Sequence, residues 1–226
     1  GIGSAPEGVE NNEVVYELIF DAPWSSERRD IRQRLRDYSM NRYGTCPAGI
    51  ERFWEGMLAT SYGFSTSQGI YRVQRQPYFM RGGRYDVSQE HFEAIESFIS
   101  ASSSLSENQE YLTDLALWAG FYAFGKAEII ADMIERCYKM GDLSSADALR
   151  VRFREAMLAA DRFLDSNPLT RMERWIGLAR NLGPTEDEKD RFEINARRIV
   201  TTWGPGKEPD YLNDYSCRMW SGLIRD

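Results

Sequence analysis

Residues 107–140 read ENQEYLTDLALWAGFYAFGKAEIIADMIERCYKM, and Gly141-Asp142 follows them. Leu112, Leu115, Ala119, Tyr122, Ile130, Met133, Ile134 and Cys137 recur along this stretch at helical spacing. They predict one long helix with a buried stripe, closed at Gly141-Asp142 by C-cap chemistry. A second helix over 144–165 is then expected to return antiparallel, burying Leu149, Phe153, Met157 and Phe163.

The same grammar extends in both directions. Val14, Val15, Leu18 and Ile19 share a face of a short helix over 12–22, which Asn11 or Asn12 can cap and Pro23 stops. Ser25-Ser26-Glu27 starts a helix to about Tyr43, with Ile31, Leu35, Tyr38 and Tyr43 inward, arginines outward and Gly44 ending it. Pro47 begins another, through about Tyr62, burying Ile50, Phe53, Trp54, Met57 and Leu58. Periodicity fails over 63–87, a Gly-, Ser-, Arg- and Tyr-rich stretch that reads as a long irregular loop of the functional or mobile kind. Helices are expected over 88–100, 170–182 and 185–200, the last opened by the capping box Thr185-Glu186-Asp187-Glu188. ASSSLSEN (101–108) reads as a hinge and WGPGKEPD (203–210) as a turn-rich loop, with a last helix over 211–225. Strand signals are almost absent and no repeat emerges, so the fold class is all-α, a multi-helix bundle of roughly eight helices.

Composition narrows the chemistry. The 226 residues are 42% hydrophobic and 13% aromatic, enough for a real core. No apolar run approaches the ~20 residues of a membrane span, and no segment resembles a signal peptide. The net charge of −7 argues against nucleic acid as a partner. Arginine outnumbers lysine 24 to 4, which suits ion pairs with the surplus carboxylates across helix faces. The lone His91 excludes a zinc site built on several histidines and argues against a Ser-His-Asp or Cys-His nucleophile. Cys46, Cys137 and Cys217 are too far apart for a CxxC knuckle and read as buried small hydrophobes. Chemistry, if present, falls to carboxylates or a bound cofactor.

Two places break the amphipathic pattern. In Ala5-Pro6-Glu7-Gly8 a carboxylate sits in a turn stiffened by proline and glycine, the setting a carboxylate nucleophile or base needs, though such a glutamate is also ordinary surface. From Phe192 to Trp220, Glu193, Asn195, Arg197, Trp203, Asn213, Asp214, Tyr215 and Trp220 mix rings with hydrogen-bonding groups. Sugars are bound this way, and core aromatics with capping polar residues look the same in sequence.

Together these segments resemble the α-N-acetylglucosaminidase family, which includes a lysosomal heparan-sulfate-degrading enzyme and bacterial counterparts. GIGSAPEGVENNEVVYELIFDAPW (1–24) is similar to the end of that family's catalytic barrel. FEINARRIVTTWGP (192–205) and LNDYSCRMWSGLIRD (212–226) are similar to its C-terminal helical domain. The likeness is specific at both ends and loose in the middle. The family usually has Asn-Lys-Gln or Asn-Lys-Glu where this chain has Ser216-Cys217-Arg218, and its aromatic-Pro-Arg-Trp ending is absent after Asp226.

The resemblance implies a last barrel segment over 1–24, a stub of a (β/α)8 barrel, and an α-helical domain over 25–226. It implies a parent that is a retaining exo-glycosidase removing terminal α-linked N-acetylglucosamine from glycans. Glu7 corresponds to the nucleophile, and no metal and no cofactor are implied. The general acid would lie in an earlier barrel segment outside the chain, so the chain is expected to be cropped at both ends and inactive alone. The missing N-terminal and barrel domains of the same polypeptide are then its partners. Trp203, Tyr215, Asp214 and Asn195 are the candidate substrate-binding residues, while Arg197 is expected to pair with Glu193 in a bracing role. Family habit implies a secreted, periplasmic or lysosomal location. The main alternative is a non-catalytic helical module that binds protein or glycan. A complete helical enzyme of another class fits less well, for want of a second convergent carboxylate motif.

Overall fold

The structure is a computed structural model that describes residues 3–4, 13–24, 30–63, 88–200 and 220–222. Among the described residues the chain is helical throughout, with nine α-helical segments and no strand. The expected long hairpin is its spine. Asn108 caps α6 (Gln109–Met140) by accepting from the Tyr111 amide. Gly141 then takes a left-handed φ of 75°, and its N–H closes on the Tyr138 carbonyl. Asp142 follows at once and caps α7 (Leu143–Asp165), accepting from the Ser145 amide at 3.0 Å. Two residues thus end one helix and start the next, which turns the chain back on itself.

The face between α6 and α7 differs from the expected one. Its buried residues are largely small, Ala123, Ala127, Ala131, Ala146 and Ala160, with Phe124 and Leu164 filling the seam. Leu112 and Met133 lie exposed, and Leu164 is fully buried where Phe163 was expected, Phe163 being 46% exposed. Alanines let the helices approach closely. The seam follows the Leu149–Phe153–Met157–Ala160–Leu164 row, from which Phe163 is rotated by one residue.

The main core lies where α2 (Ile31–Tyr43), α3 (Ala48–Ala59) and α4 (Gln89–Ser100) meet the first half of α6. Phe53 sits at its centre, with ring centroids 4.7 Å from Trp54, 4.8 Å from Phe98 and 4.9 Å from Trp118. Each such buried ring is worth roughly 1.5–3 kcal/mol of transfer free energy. Glycines on α3 allow α4 this close. A Cβ at Gly56 would stand 2.5 Å from Ala94 Cβ, and one at Gly49 2.7 Å from the Ser97 carbonyl. The inward positions of α2 and α3 are as expected, apart from Ile31, which is exposed.

The boundaries shift where capping chemistry decides them. The second helix starts at Ile31 because the Asp30 carboxylate accepts from the Arg32 amide. The third ends at Ala59 and passes through a turn at Thr60–Gly63. The expected hinge contains one helical turn, α5 (Ser102–Leu105). A 3-10 turn at Pro168–Thr170, capped by Asn167, delays α8 to Met172–Arg180. Half of the expected capping box forms at the start of α9 (Glu186–Val200): Thr185 accepts from the Glu188 amide, while the Glu188 carboxylate takes the Thr185 hydroxyl proton. The expected irregular loop falls on 64–87, outside the described residues.

Segment 1–24 contributes α1 (Glu13–Asp21) and a 3-10 turn, Ala22–Trp24. Val14 is buried in the main core with Leu18 against it, and Asp21 pairs with Arg34. Val15, Ile19 and Phe20 face away from the bundle, and Trp24 is 87% exposed. The helix therefore has two apolar sides, of which the bundle covers one.

The last helix expected over 211–225 does not pass through 220–222. Ser221 forms a parallel bridge with Arg171, and Gly222 has a φ of 88°. The backbone N–H and carbonyl of Ser221 bond to residues 170 and 172. Among the described residues no helix is long and apolar enough to cross a membrane. Cys137 is buried and Cys46 partly so, both as free thiols, with burial pushing the Cys46 thiol up.

Candidate functional site

The described parts of the C-terminal motif segments, 192–200 and 220–222, meet at the α8–α9 pair. Met172, Ile176, Ala196, Val200 and Trp220 form one buried cluster, with Trp175 packed against it. The Trp175 and Trp220 rings lie 5.8 Å apart, and the Trp175 indole N–H donates to the Ala196 carbonyl at 3.1 Å. Ala196 is the centre of the NAR triplet, so that triplet is partly core.

Its neighbours divide the remaining work. The Arg197 Nε donates to Glu193 at 2.8 Å, the pairing expected for a brace. Glu193 also accepts from Arg180, which reaches back from α8 and binds Asp190 with the same nitrogen, both at 2.7 Å. Hydrogen bonds from Arg197, then from Arg180, hold the Glu193 carboxyl below the usual carboxylate range. Glu193 is thus a fixed anion tying two helices together, poorly suited to proton transfer near neutral pH. Asn195 sits on the outer side of α9, exposed to solvent.

The tripeptide after the second motif is fastened from two sides. Ser221 donates its N–H to the Thr170 carbonyl at 2.8 Å and accepts from the Met172 amide at 3.1 Å. Its hydroxyl donates to Asp165 at 3.2 Å, and the Gly222 amide donates to the buried Asp161 carboxylate at 2.7 Å. Trp220 is a core residue of the cluster, not a free platform for a ligand.

Two other buried polar sites lie away from these motifs. Asp114 accepts from Arg42 through two nitrogens, at 2.6 and 2.7 Å, and from the Tyr43 hydroxyl at 2.7 Å, joining α2 to α6. His91 is buried at the start of α4, its Nδ1 2.8 Å from the Ser61 hydroxyl, and burial pulls its pKa down to about 4. That histidine is neutral at ordinary pH. Among the described residues no group of three or more His, Cys, Asp or Glu side chains is gathered as for a metal ion.

Of the candidate site residues, Glu7, Trp203, Asp214 and Tyr215 lie outside the described residues, and Asn195 alone is placed. The flanks of the others are fixed: α1 follows Glu7 by a few residues and docks on the main core, while Val200 and Trp220 bracket the other three. Trp175, Asp161 and Arg180, which build the frame around the motifs, carry no sequence signal beyond the Met172/Ile176 helical row. Their partners are 6 to 61 residues away along the chain.

Comparison with known proteins matches this architecture from end to end. Residues 35–226 match the family model of the alpha-N-acetylglucosaminidase (NAGLU) C-terminal domain. Human alpha-N-acetylglucosaminidase is 27% identical over 231 residues, a match covering 99% of this chain and 31% of that protein. CpGH89 from Clostridium perfringens, solved in complex with its substrate GlcNAc-alpha-1,4-galactose, superposes with a TM-score of 0.86 at 28% identity. That superposition covers 95% of this chain and 26% of the other. The family 89 glycoside hydrolase from the same organism in complex with 2-acetamido-1,2-dideoxynojirmycin gives 0.85 at 29% identity, over the same shares. The chain spans less than a third of the length of these relatives. It belongs to the alpha-N-acetylglucosaminidase C-terminal domain family.

Proposed function

We propose that this chain is the C-terminal portion of a retaining exo-glycosidase that removes terminal α-linked N-acetylglucosamine from glycans. The observation that carries this reading is the match of nearly the whole chain, in sequence to human alpha-N-acetylglucosaminidase and in fold to CpGH89, which holds its substrate GlcNAc-alpha-1,4-galactose. Residues 1–24 would be the last segment of the catalytic barrel and 25–226 the helical domain. The two apolar sides of α1 support that division, since a helix lodged between the bundle and a barrel needs both.

Glu7 is the nucleophile in this reading. A proline before it and a glycine after it suit a βα loop at the active face of a barrel. Its carboxylate attacks the anomeric carbon while a second carboxylic acid, in the part of the polypeptide outside this chain, protonates the departing glycosidic oxygen. Water then attacks the anomeric carbon of the glycosyl-enzyme, giving its proton to the second group; the bond from that carbon to Glu7 breaks, freeing the carboxylate and leaving the sugar with its α configuration retained. The two carboxyls of such a pair stand roughly 5–5.5 Å apart. Trp203 and Tyr215 would lie against the C–H face of the sugar, with Asp214 and Asn195 toward its hydroxyls. The exposure of Asn195 leaves its amide open to such a contact. The reaction needs no metal or cofactor.

An aryl α-N-acetylglucosaminide tests the proposal. The parent polypeptide is expected to turn it over and this chain alone is not. Glu7→Gln in the parent should lose at least about 4 kcal/mol of transition-state stabilisation, roughly a thousandfold in rate. Turnover by the isolated chain would overturn the account of the second carboxyl. A parent inert on the aryl glycoside would leave the helical binding module as the better reading.

A further inference from the structure

Among the described residues the apolar side chains are buried in three clusters, and the third stands apart. The main core and the α6–α7 seam both pack against Phe121, which lies at their border. The cluster of Met172, Ile176, Ala196, Val200 and Trp220 shares no residue with either. The α8–α9 pair therefore has a core of its own. Its ion pairs are also internal: Arg180 on α8 reaches Glu186, Asp190 and Glu193 on α9.

One tripeptide holds this pair and the hairpin at once. Trp220 is buried in the α8–α9 cluster, whereas the next two residues turn to α7, the Ser221 hydroxyl to Asp165 and the Gly222 amide to Asp161. Between those two attachments Ser221 spans the junction where the 3-10 turn passes into α8. Its N–H meets the Thr170 carbonyl at 2.8 Å and its carbonyl the Met172 amide at 3.1 Å. Asp161 is the telling member. It is only 8% exposed, and the bond it accepts comes from Gly222 at 2.7 Å. An apolar side chain would serve the packing of α7 better than a buried carboxylate. What the carboxylate supplies is a directed bond to one amide, that of a glycine whose φ of 88° residues with a Cβ rarely adopt.

We propose that residues 220–222 are a clasp that docks the α8–α9 pair on the hairpin, and that the pair opens from the bundle as one unit when the clasp lets go. Opening breaks the two backbone bonds of Ser221 and the two bonds to the α7 carboxylates. It leaves the main core and the α6–α7 seam intact, so it is a sub-global event and not unfolding. The inference is independent of the glycosidase reading.

Hydrogen exchange in mild denaturant, read by mass spectrometry on the full-length polypeptide, tests it. In the unmodified protein the amides of α8 and α9 should exchange together, about tenfold or more faster than those of α3, α4 and the first half of α6. Asp161→Ala should speed the α8–α9 amides by about a further tenfold, with α3 and α4 changed by less than about twofold. Asp161→Asn keeps an oxygen for the Gly222 N–H and should return the rates to near those of the parent. A folded Asp161→Ala protein in which α8–α9 exchange is unchanged, or in which every helix speeds up alike, overturns the proposal. If Asp161→Ala fails to fold, the unmodified polypeptide decides: α8–α9 amides exchanging no faster than the main core, or α8 and α9 exchanging separately, overturn it equally.

Discussion

Asp114→Ala should be among the most damaging single substitutions in this chain. Asp114 lies 8% exposed in α6 and holds the Arg42 guanidinium by two bonds and the Tyr43 hydroxyl by a third. Burial, and then Asp114 itself, push the Tyr43 phenol far above its ordinary range, so it remains a donor at every working pH. The hydrogen bond to Asp114 likewise raises Arg42, which stays charged. Removing the carboxylate strands a cation and a hydroxyl. Breaking a buried ion pair from one side costs about 3–5 kcal/mol, and a buried hydroxyl left without its acceptor about 1–3 kcal/mol. Against this, the Arg42 side chain is 18% exposed and can lean on Glu110, already 3.4 Å away. The net expectation is about 3–4 kcal/mol, or roughly 7–14 °C in Tm for a chain of this size. Thermal unfolding followed by circular dichroism measures it. Replacing the whole set with apolar residues (Arg42→Met, Tyr43→Phe and Asp114→Leu together) should restore most of the loss, because no stranded group remains. A drop of less than about 3 °C for Asp114→Ala, or a triple variant no better than the single one, would refute the reasoning.

Three further expectations can be checked on the same chain. Burial lowers His91 to about 4 from an ordinary 6.5, so the unfolded chain binds the proton first as pH falls. Its contribution is intact above pH 6.5, declines between 6.5 and about 4, and levels below that, by about 3 kcal/mol in all. The stability difference between the parent chain and His91→Gln should show this slope, and NMR titration of the single imidazole should show its midpoint; a flat difference or a midpoint near 6.5 would be the contrary result. Gly56→Ala puts a methyl 2.5 Å from Ala94 Cβ and should cost about 1–3 kcal/mol in denaturant unfolding. Gly177→Ala, with nothing within 4 Å, should instead stabilise by about 0.5–1 kcal/mol.

The fold was legible wherever local chemistry decides the outcome. Gly141-Asp142 announces a helix end and a helix start in two residues, and Thr185–Glu188 is a capping box by spacing alone. Legibility failed where partners come from far along the chain. Nothing near Phe163 says that Leu164 is the residue in the seam, because the row it continues passes through Ala160, whose small side chain carries little hydrophobic signal. Nothing near Trp220 says that Ser221 pairs with residues 170–172, so a helix was the natural reading of 211–225. Glu7, Trp203, Asp214, Tyr215 and Asn195 are singled out by family pattern alone, since a glutamate between proline and glycine has no chemistry of its own until a second carboxyl faces it, and of these five Asn195 is the one among the described residues. The Glu193–Arg197 pair was readable from its i,i+4 spacing, whereas Arg180, which completes that cluster from another helix, was not.

The central claim is that Glu7 forms a covalent bond to the sugar, and trapping that intermediate tests it most directly. A fluorinated α-N-acetylglucosaminyl substrate that slows hydrolysis of the glycosyl-enzyme, followed by proteolysis and mass spectrometry of the full-length polypeptide, locates the ester. One sugar is expected on the peptide containing Glu7 and none in the Glu7→Gln variant. A sugar esterified to a different carboxylate, or an adduct that persists in Glu7→Gln, would contradict it.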